Sequence, residues 1–141
     1  MHLTKNFLYT IITYNTKLIT RRQVYSMAYN YNIQTDITRA LSKYNRLMTG
    51  PRFNTLDGNI LNLIKSFTEA ETKFYMSNKE LAEIMIADPS TIQRSIDRLL
   101  AAALISKEII YIAAKPQRIL TYNSKAVQNI INLEWVAQWV A

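Results

Sequence analysis

The 141-residue sequence predicts a mainly α-helical fold with one small β-hairpin. Two observations predict this fold class. Three segments between residues 55 and 103 repeat apolar residues at helical spacing, and two extended segments follow between residues 105 and 122. Hydrophobic residues make up 49% of the chain, which is enough to build the core of one ordinary domain or of two very small ones.

The first helix of this region is predicted to follow Asp57 and Gly58 and to end near Glu71. Its apolar residues recur at helical spacing: Ile60, Leu61, Leu63, Ile64 and Phe67. A second, short helix is predicted to begin at Ser77, because Ser77 and Glu80 are a serine and a glutamate at the three-residue spacing of a capping box. Its predicted buried residues are Leu81, Ile84 and Met85.

A third helix is predicted to begin at Asp88 and Pro89. An aspartate accepts hydrogen bonds from the free amides of a helix start, and a proline at the first helical position loses no hydrogen bond. One face of this helix is apolar, with Ile92, Ile96, Leu99, Leu100 and Ala103. Extended segments then run from 105 to 112 and from 118 to 122, and residues 113–117 join them in a hairpin with a basic tip.

Three helices followed by a hairpin is the order of a winged helix-turn-helix domain. The stretches NKELAEIM (78–85), DPSTIQRSIDRL (88–99) and ALI (103–105) resemble that superfamily. The resemblance is to the versions found in bacterial transcriptional regulators, plasmid replication initiators and small DNA-binding proteins of conjugative plasmids. Ile86 and Ala103 stand where the superfamily usually has glycine in a left-handed backbone. Because a residue with a Cβ atom costs about 1 kcal/mol there, we expect the turn to be built differently.

The N-terminal unit, residues 1–54, precedes this winged helix-turn-helix, residues 55–123. It is either a second, degenerate helix-turn-helix, which would give two tandem winged-helix-like units, or an unrelated helical extension. Thr20, Val24 and Met27 parallel Ser77, Leu81 and Ile84, and Ile37, Arg39, Leu41 and Tyr44 parallel Ile92, Arg94, Ile96 and Leu99. The first turn, 30–34, would be two residues longer, which a loop tolerates. Residues 48–54 leave no room for a full wing.

The C-terminal segment, residues 124–141, is predicted to be a strongly apolar helix. Its apolar residues are Val127, Ile130, Ile131, Trp135, Val136, Trp139 and Val140. A helix that is apolar over so much of its circumference must be buried. The segment packs either on the protein's own two units or in a homodimer interface.

The net charge of +7 is carried entirely by the N-terminal unit. Residues 1–54 contain eight basic residues and one acidic residue, whereas residues 55–141 contain nine of each. A one-sided excess of this kind favours a polyanionic partner, because phosphate neutralisation releases condensed counterions. Nucleic acid is the leading candidate, and a merely solubilising basic surface is the alternative.

The predicted DNA contacts lie on three elements. In the winged-helix docking mode the third helix lies in the major groove, where arginine reads guanine and glutamine reads adenine. With Ile92 in the core, the residues of this helix predicted to contact DNA are Ser90, Thr91, Gln93, Arg94 and Arg98. At the hairpin tip they are Lys115, Gln117 and Arg118. In the N-terminal unit, the same construction from Ile37 exposes Arg39, Ser42, Lys43 and Arg46.

Catalytic, metal and cofactor signatures are absent from the sequence. A nucleophilic tyrosine needs a metal-binding histidine cluster or a constellation of arginine and histidine around it, and His2 is the single histidine. Two glycines cannot form a phosphate-binding loop, and no acidic pair has the spacing of a metal site. Tyr25, Tyr29 and Tyr31 could stack on single-stranded nucleic acid, but core packing is the favoured use of most tyrosines. We therefore expect a protein that is not an enzyme and has no cofactor.

The sequence predicts a double-stranded DNA-binding protein of a plasmid, phage or other mobile element. It would act as an accessory factor or regulator in DNA transfer, conjugation, replication or transcription. The alternative is a protein-interaction module on a winged-helix scaffold that no longer binds DNA. A monomer is favoured over a homodimer because Arg39 falls in register with Arg94, and protein partners would be those of a nucleoprotein complex.

The chain is expected to be cytoplasmic and to have no membrane partner. The longest apolar runs, such as 109–114, are far shorter than the roughly 20 residues of a membrane-spanning helix. No export signal is visible, and the absence of cysteine fits a reducing cytosol.

Overall fold

The computed structural model describes residues 34–50 and 52–133. The described elements are, in chain order, α1 (Gln34–Leu47), α2 (Thr55–Glu69), α3 (Asn78–Met85), α4 (Pro89–Ala101), β1 (Ile105–Ile112), β2 (Lys115–Tyr122) and α5 (Ser124–Ile131). The predicted mainly α-helical fold with one antiparallel hairpin is confirmed, and α2 to β2 follow in the order of a winged helix-turn-helix.

Helix α2 lies at the centre of the described core. It packs against α1, α3, α4 and β2, and its apolar residues Ile60, Leu61, Leu63 and Ile64 are fully buried. Most of the apolar face predicted for α4 is also in this core, because Ile92, Ile96 and Leu99 are fully buried, whereas Ala103 lies beyond the end of the helix and is exposed. Helical periodicity therefore identified the core face of both helices.

Helix α2 begins earlier than the sequence predicted. The Asn54 side chain accepts from the Asp57 backbone N–H at 3.0 Å, and the Asp57 carboxylate accepts from the Asn54 N–H at 2.8 Å. This capping box places the helix start at Thr55, so the prediction of a start after Gly58 is wrong. The helix ends at Glu69, two residues before the predicted end near Glu71.

The starts of α3 and α4 follow the sequence signals closely. The predicted capping box is confirmed: the Ser77 hydroxyl accepts from the Glu80 N–H at 3.1 Å, and Glu80 Oε1 accepts from the Ser77 N–H at 3.0 Å. Pro89 occupies the first turn of α4 as predicted. The expected capping by the Asp88 side chain is wrong, since this side chain makes no cap hydrogen bond.

The turn between α3 and α4 keeps the left-handed geometry although it lacks glycine. Ile86 caps α3 at φ 55° and ψ 60°, and Ala103, after α4, has φ 60°. The expectation of a differently built turn is therefore wrong. Ile86 is also 88% exposed, so its side chain gains little burial in return for the unfavourable backbone.

We predict that Ile86→Gly stabilises the fold by about 1 kcal/mol, because glycine adopts this backbone without a Cβ clash. Urea unfolding followed by circular dichroism measures the change. Ile86→Ala is the matched control, since it removes the exposed side chain but keeps the Cβ atom. An equal gain in both variants would show that the side chain, and not the backbone, carries the cost.

Strand β1 has the predicted bounds, whereas β2 is longer than predicted and the turn before it is shorter. Ala113 and Ala114 both have positive φ, 51° and 66°, as a two-residue type I′ turn requires. Strand β2 therefore begins at Lys115, with Pro116 opposite Tyr111, and not at Arg118 as predicted. Antiparallel pairs alternate between hydrogen-bonded and non-hydrogen-bonded from the closing pair outward. Pro116 falls in a non-hydrogen-bonded pair, so its missing N–H removes no bond to β1.

Backbone hydrogen bonds hold the base of the wing against the helices. The Leu120 N–H donates to the Phe74 carbonyl at 2.9 Å, and the Tyr122 N–H donates to the Thr68 hydroxyl at 3.1 Å. The short link between α2 and α3 thus forms a β-bridge with the wing. The base of the wing is fixed relative to α2, and the tip extends beyond the core.

The described part of the C-terminal segment packs inside the chain. Helix α5 lies against α1, with Val127 and Ile130 in the common core. Residues 124–131 therefore pack against α1 and the described core, and the packing of the whole segment 124–141 stays a prediction. Trp135, Val136 and Trp139 lie outside the described residues, as does any homodimer interface that they would form.

Helix α1 matches α4 in its pattern of burial at the predicted offset of 55 residues. Ile37, Leu41 and Tyr44 are buried, and Ala40 is fully buried like its counterpart Ser95. The earlier half of the proposed repeat, from Thr20 to Met27, lies outside the described residues. The tandem arrangement therefore stays a prediction. No helix within 34–50 or 52–133 is long and apolar enough to cross a bilayer.

Candidate nucleic-acid interface

The buried carboxylate of Asp57 fixes the inner side of α4. Asp57 is fully buried, and its Oδ1 accepts hydrogen bonds from the Ser95 hydroxyl and, at 2.8 Å, from Arg98 Nη2. Its Oδ2 accepts from Arg98 Nε at 3.0 Å and from the Asn54 backbone N–H at 2.8 Å. Four donors converge on one carboxylate, so α4 is held in one orientation against the start of α2.

Arg98 is therefore bound inside the protein. The hydrogen bond to Asp57 raises the pKa of its guanidinium, and its side chain is only 24% exposed. The sequence placed Arg98 on the solvent-facing side of the third helix, and this expectation is wrong. We leave Arg98 out of the candidate interface, because a second role at DNA would require breaking a bidentate ion pair.

The outer face of α4 presents polar side chains to solvent. Ser90, Gln93 and Arg94 are exposed and Thr91 is half-buried, as the helical wheel predicted. Arg94 Nη2 donates to the Thr91 hydroxyl at 3.2 Å, which orients the guanidinium and leaves most of its five donors available. The structure brings these four predicted residues together on one face.

A chain of hydrogen bonds links the wing to this face. Arg118 donates from Nη2 to the Met76 carbonyl and from Nη1 to Asn78 Oδ1, both at 2.9 Å. Asn78 Nδ2 donates to Gln93 Oε1 at 2.6 Å, and Gln93 Nε2 donates to Asp97 Oδ1 at 2.8 Å. We call these four side chains, Arg118, Asn78, Gln93 and Asp97, the wing–helix network.

The position of Arg118 corrects the sequence-based expectation. It was placed at the hairpin tip as a phosphate contact, but it lies in β2 opposite Ile109 and is half-buried. Burial lowers the pKa of its guanidinium, and the charge of Asp97 acts in the opposite direction. Asn78, which no sequence signal identified as functional, connects it to α4. Its position in the first turn of α3 was predictable, but its contacts 15 and 40 residues away were not.

The wing tip is less basic and more apolar than predicted. Lys115 is exposed beside the turn, as expected, whereas Gln117 is half-buried in β2. Ile109, Tyr111 and Ile112 are exposed by 50%, 73% and 38%. The sequence did not indicate that these apolar side chains are exposed, because the composition of β1 predicts a strand but does not show which of its faces the core covers.

Helix α1 exposes three of its four predicted contact residues. Arg39, Ser42 and Arg46 are exposed and lie at helical spacing on one face. Lys43 is buried, with 9% exposure, and its ammonium donates to the Ile131 carbonyl at the end of α5. The prediction that Lys43 faces DNA is therefore wrong. A cation at a helix C-terminus is favourable to the helix dipole, which gives Lys43 a structural role.

Metal-binding geometry is absent from the described residues, since no group of three histidine, cysteine, aspartate or glutamate side chains within 34–50 and 52–133 converges on one point.

Two solved structures are similar to this chain. One is described as a possible transcriptional regulator from Methanosarcina mazei Go1, with 19% identity and a TM-score of 0.47, covering 77% of this chain and 79% of that chain. The other is MepR, a transcription regulator of the Staphylococcus aureus multidrug efflux pump MepA, with 11% identity and a TM-score of 0.42, covering 79% and 78%. No protein-family model and no curated protein matches the chain. At these identities and TM-scores, the fold stands on the order and packing of the elements described above.

Proposed function

We propose that this protein binds double-stranded DNA, with α4 as the helix that reads the major groove. The observation that carries the proposal is that α4 has polar side chains on two different sides, one bound inside the protein and the other exposed. Asp57 holds the inner side through Ser95 and Arg98, while Arg94 and Gln93 stand exposed on the outer side. A recognition helix needs this combination of a fixed axis and exposed base-reading side chains.

Positive charge supports the same proposal. Arg39 and Arg46 are exposed on α1, and Lys115 is exposed beside the wing turn. Arginine and lysine side chains on flanking elements contact phosphates, which fixes the register of a recognition helix without adding sequence information. The three side chains are the proposed backbone contacts, and Ser90, Thr91, Gln93 and Arg94 are the proposed groove contacts.

The biological role that we propose is that of an accessory factor or regulator in transfer, replication or transcription of a plasmid, phage or other mobile element. It rests on the resemblance of residues 78–105 to the winged helix-turn-helix proteins of such elements. The proposal includes a cytoplasmic, non-enzymatic protein that binds as a monomer and joins a nucleoprotein complex. A monomer suffices if residues 1–54 form a second helix-turn-helix.

A protein-interaction module is the second candidate, and the apolar wing favours it. Ile109, Tyr111 and Ile112 expose large apolar side chains at one end of the hairpin. A contiguous cluster of exposed apolar side chains is more often a binding surface for a partner than a surface that contacts only water. This candidate function requires neither Arg94 nor the exposed arginines of α1.

Salt dependence of duplex binding tests the proposal. We expect the logarithm of the association constant to fall linearly with the logarithm of salt concentration, with a slope of about −0.9 for each phosphate contacted. Arg39→Gln and Arg46→Gln should each make the slope shallower by about 0.9, because each variant removes one phosphate contact. Gel shift or fluorescence anisotropy measures the slope.

Lys125→Gln is the matched control, because Lys125 is exposed on α5 and belongs to none of the three proposed contact elements. Its slope should equal that of the unsubstituted protein. If no duplex is retarded even at low salt, the protein-interaction module is the correct function.

A further inference from the structure

We infer that Asn78 is a specificity-determining residue: through the wing–helix network it sets the orientation of the Gln93 amide so that Gln93 reads an A·T base pair. The inference rests on the proposed function and extends it to a residue outside the reading helix. Asn78 belongs to α3, and its own side chain need not touch DNA.

The two ends of the network fix its direction. Arg118 can only donate hydrogen bonds, so the Asn78 atom that faces it, at 2.9 Å, must be the oxygen Oδ1. An ionised Asp97 can only accept, so the Gln93 atom that faces it, at 2.8 Å, must be the nitrogen Nε2. Asn78 Nδ2 then necessarily meets Gln93 Oε1, as observed at 2.6 Å. Neither amide can reverse without placing two donors or two acceptors against each other.

The network also leaves Gln93 able to bind a base. A glutamine amide has two N–H donors and two lone pairs on its oxygen. The network uses one of each, and Gln93 is exposed, so one donor and one acceptor remain in a fixed order. Adenine offers the complementary pair in the major groove, with N7 as acceptor and the N6 amino group as donor.

The wing contributes through Arg118. Its second donor binds the Met76 carbonyl, so the guanidinium is anchored between the link before α3 and the side chain of Asn78. The anchor restricts Asn78 before DNA is present. A side chain held in its binding orientation loses less conformational entropy on binding. Arg118 is therefore also a positioning residue, because it orients Asn78, which in turn orients Gln93.

Asn78→Asp is the decisive variant. Aspartate keeps an acceptor for Arg118 and suits the first turn of a helix, so the variant is expected to fold. It removes the donor to Gln93 Oε1 and leaves the Gln93 amide between two carboxylates, so that neither orientation of the amide is fixed. We expect about a tenfold loss of preference for A·T at one base pair of a selected duplex, measured by competition against every single-pair substitution.

Four further variants isolate the mechanism. Gln93→Ala should lose the same preference at the same base pair, and Asn78→Asp should add no further loss in the Gln93→Ala background. Asn78→Ala should give a similar loss without the added charge. Asn129→Asp places the same charge on the exposed face of α5, and its ratio of selected to random binding should be unchanged.

The outcomes separate this inference from the proposed function. If the unsubstituted protein binds no duplex at low salt, both are overturned. If it binds a selected duplex but Asn78→Asp keeps the full A·T preference, or loses affinity equally at all positions, only the role of Asn78 is overturned. Additive losses in the double variant would likewise show that Asn78 does not act through Gln93.

Discussion

Replacement of Asp57 by asparagine is expected to lower the free energy of unfolding by about 3 kcal/mol, the largest stability effect among the polar residues described above. The variant removes the counter-charge of Arg98 and offers a single oxygen where the carboxylate offers two. Four donors, from Asn54, Ser95 and Arg98, then compete for one acceptor, and the new NH2 group faces them as a donor. Urea unfolding followed by circular dichroism at 222 nm measures the loss.

Asp88→Asn is the matched control for this prediction. Asp88 is exposed and its side chain makes no cap hydrogen bond, so the same chemical change should alter stability by less than about 0.5 kcal/mol. Arg98→Met should also destabilise, and the double variant with Asp57→Asn should lose less than the sum of the two single losses. Equal losses for Asp57→Asn and Asp88→Asn would refute the central role of the buried carboxylate.

The same carboxylate shows what the sequence could not predict. The sequence placed Asp57 just before the first helix, whereas it lies in the first turn of α2 and completes the capping box with Asn54. Its partners Ser95 and Arg98 lie 38 and 41 residues away, and no local pattern specifies such a contact. A helical wheel separates apolar from polar positions, but it does not distinguish an arginine in solvent from one that is bound to a buried carboxylate.

Lys43 illustrates the same difficulty on α1. The wheel drawn from Ile37 placed it beside Arg39 and Arg46, yet its ammonium binds the Ile131 carbonyl 88 residues away. Long lysine side chains bury their methylene groups along apolar surface and direct only the ammonium to a polar partner. The sequence correctly predicted the exposure of Arg39 and Arg46, because nothing in the described structure covers that face of α1.

Local signals, in contrast, correctly predicted the starts of two helices, although the capping box of Asn54 and Asp57 that starts α2 was missed. Ser77 with Glu80, and Pro89 at its helix start, correctly placed α3 and α4. The turn residues misled for an identifiable reason. Ile86 and the pair Ala113 and Ala114 adopt positive φ without glycine or asparagine, so the composition of these turns does not indicate their backbone conformation.

Arg94→Lys is expected to cost about 1 to 3 kcal/mol of binding free energy on a selected duplex, roughly a 5- to 150-fold loss of affinity. Lysine keeps the positive charge but lacks the planar fork that binds guanine O6 and N7 together. Affinity for random duplex and the salt slope should therefore remain nearly unchanged. Competition binding on the selected duplex, its single-pair variants and a random duplex measures both quantities.

Arg39→Lys on α1 is the matched control for Arg94→Lys. A phosphate contact tolerates the exchange of one cation for another, so the ratio of selected to random binding should be preserved at every position. The loss from Arg94→Lys should concentrate at one base pair, different from the pair that depends on Gln93, because neighbouring side chains on the exposed face of α4 project over different bases. An equal loss on selected and random duplex would instead identify Arg94 as a phosphate contact, and base reading would then fall to Gln93.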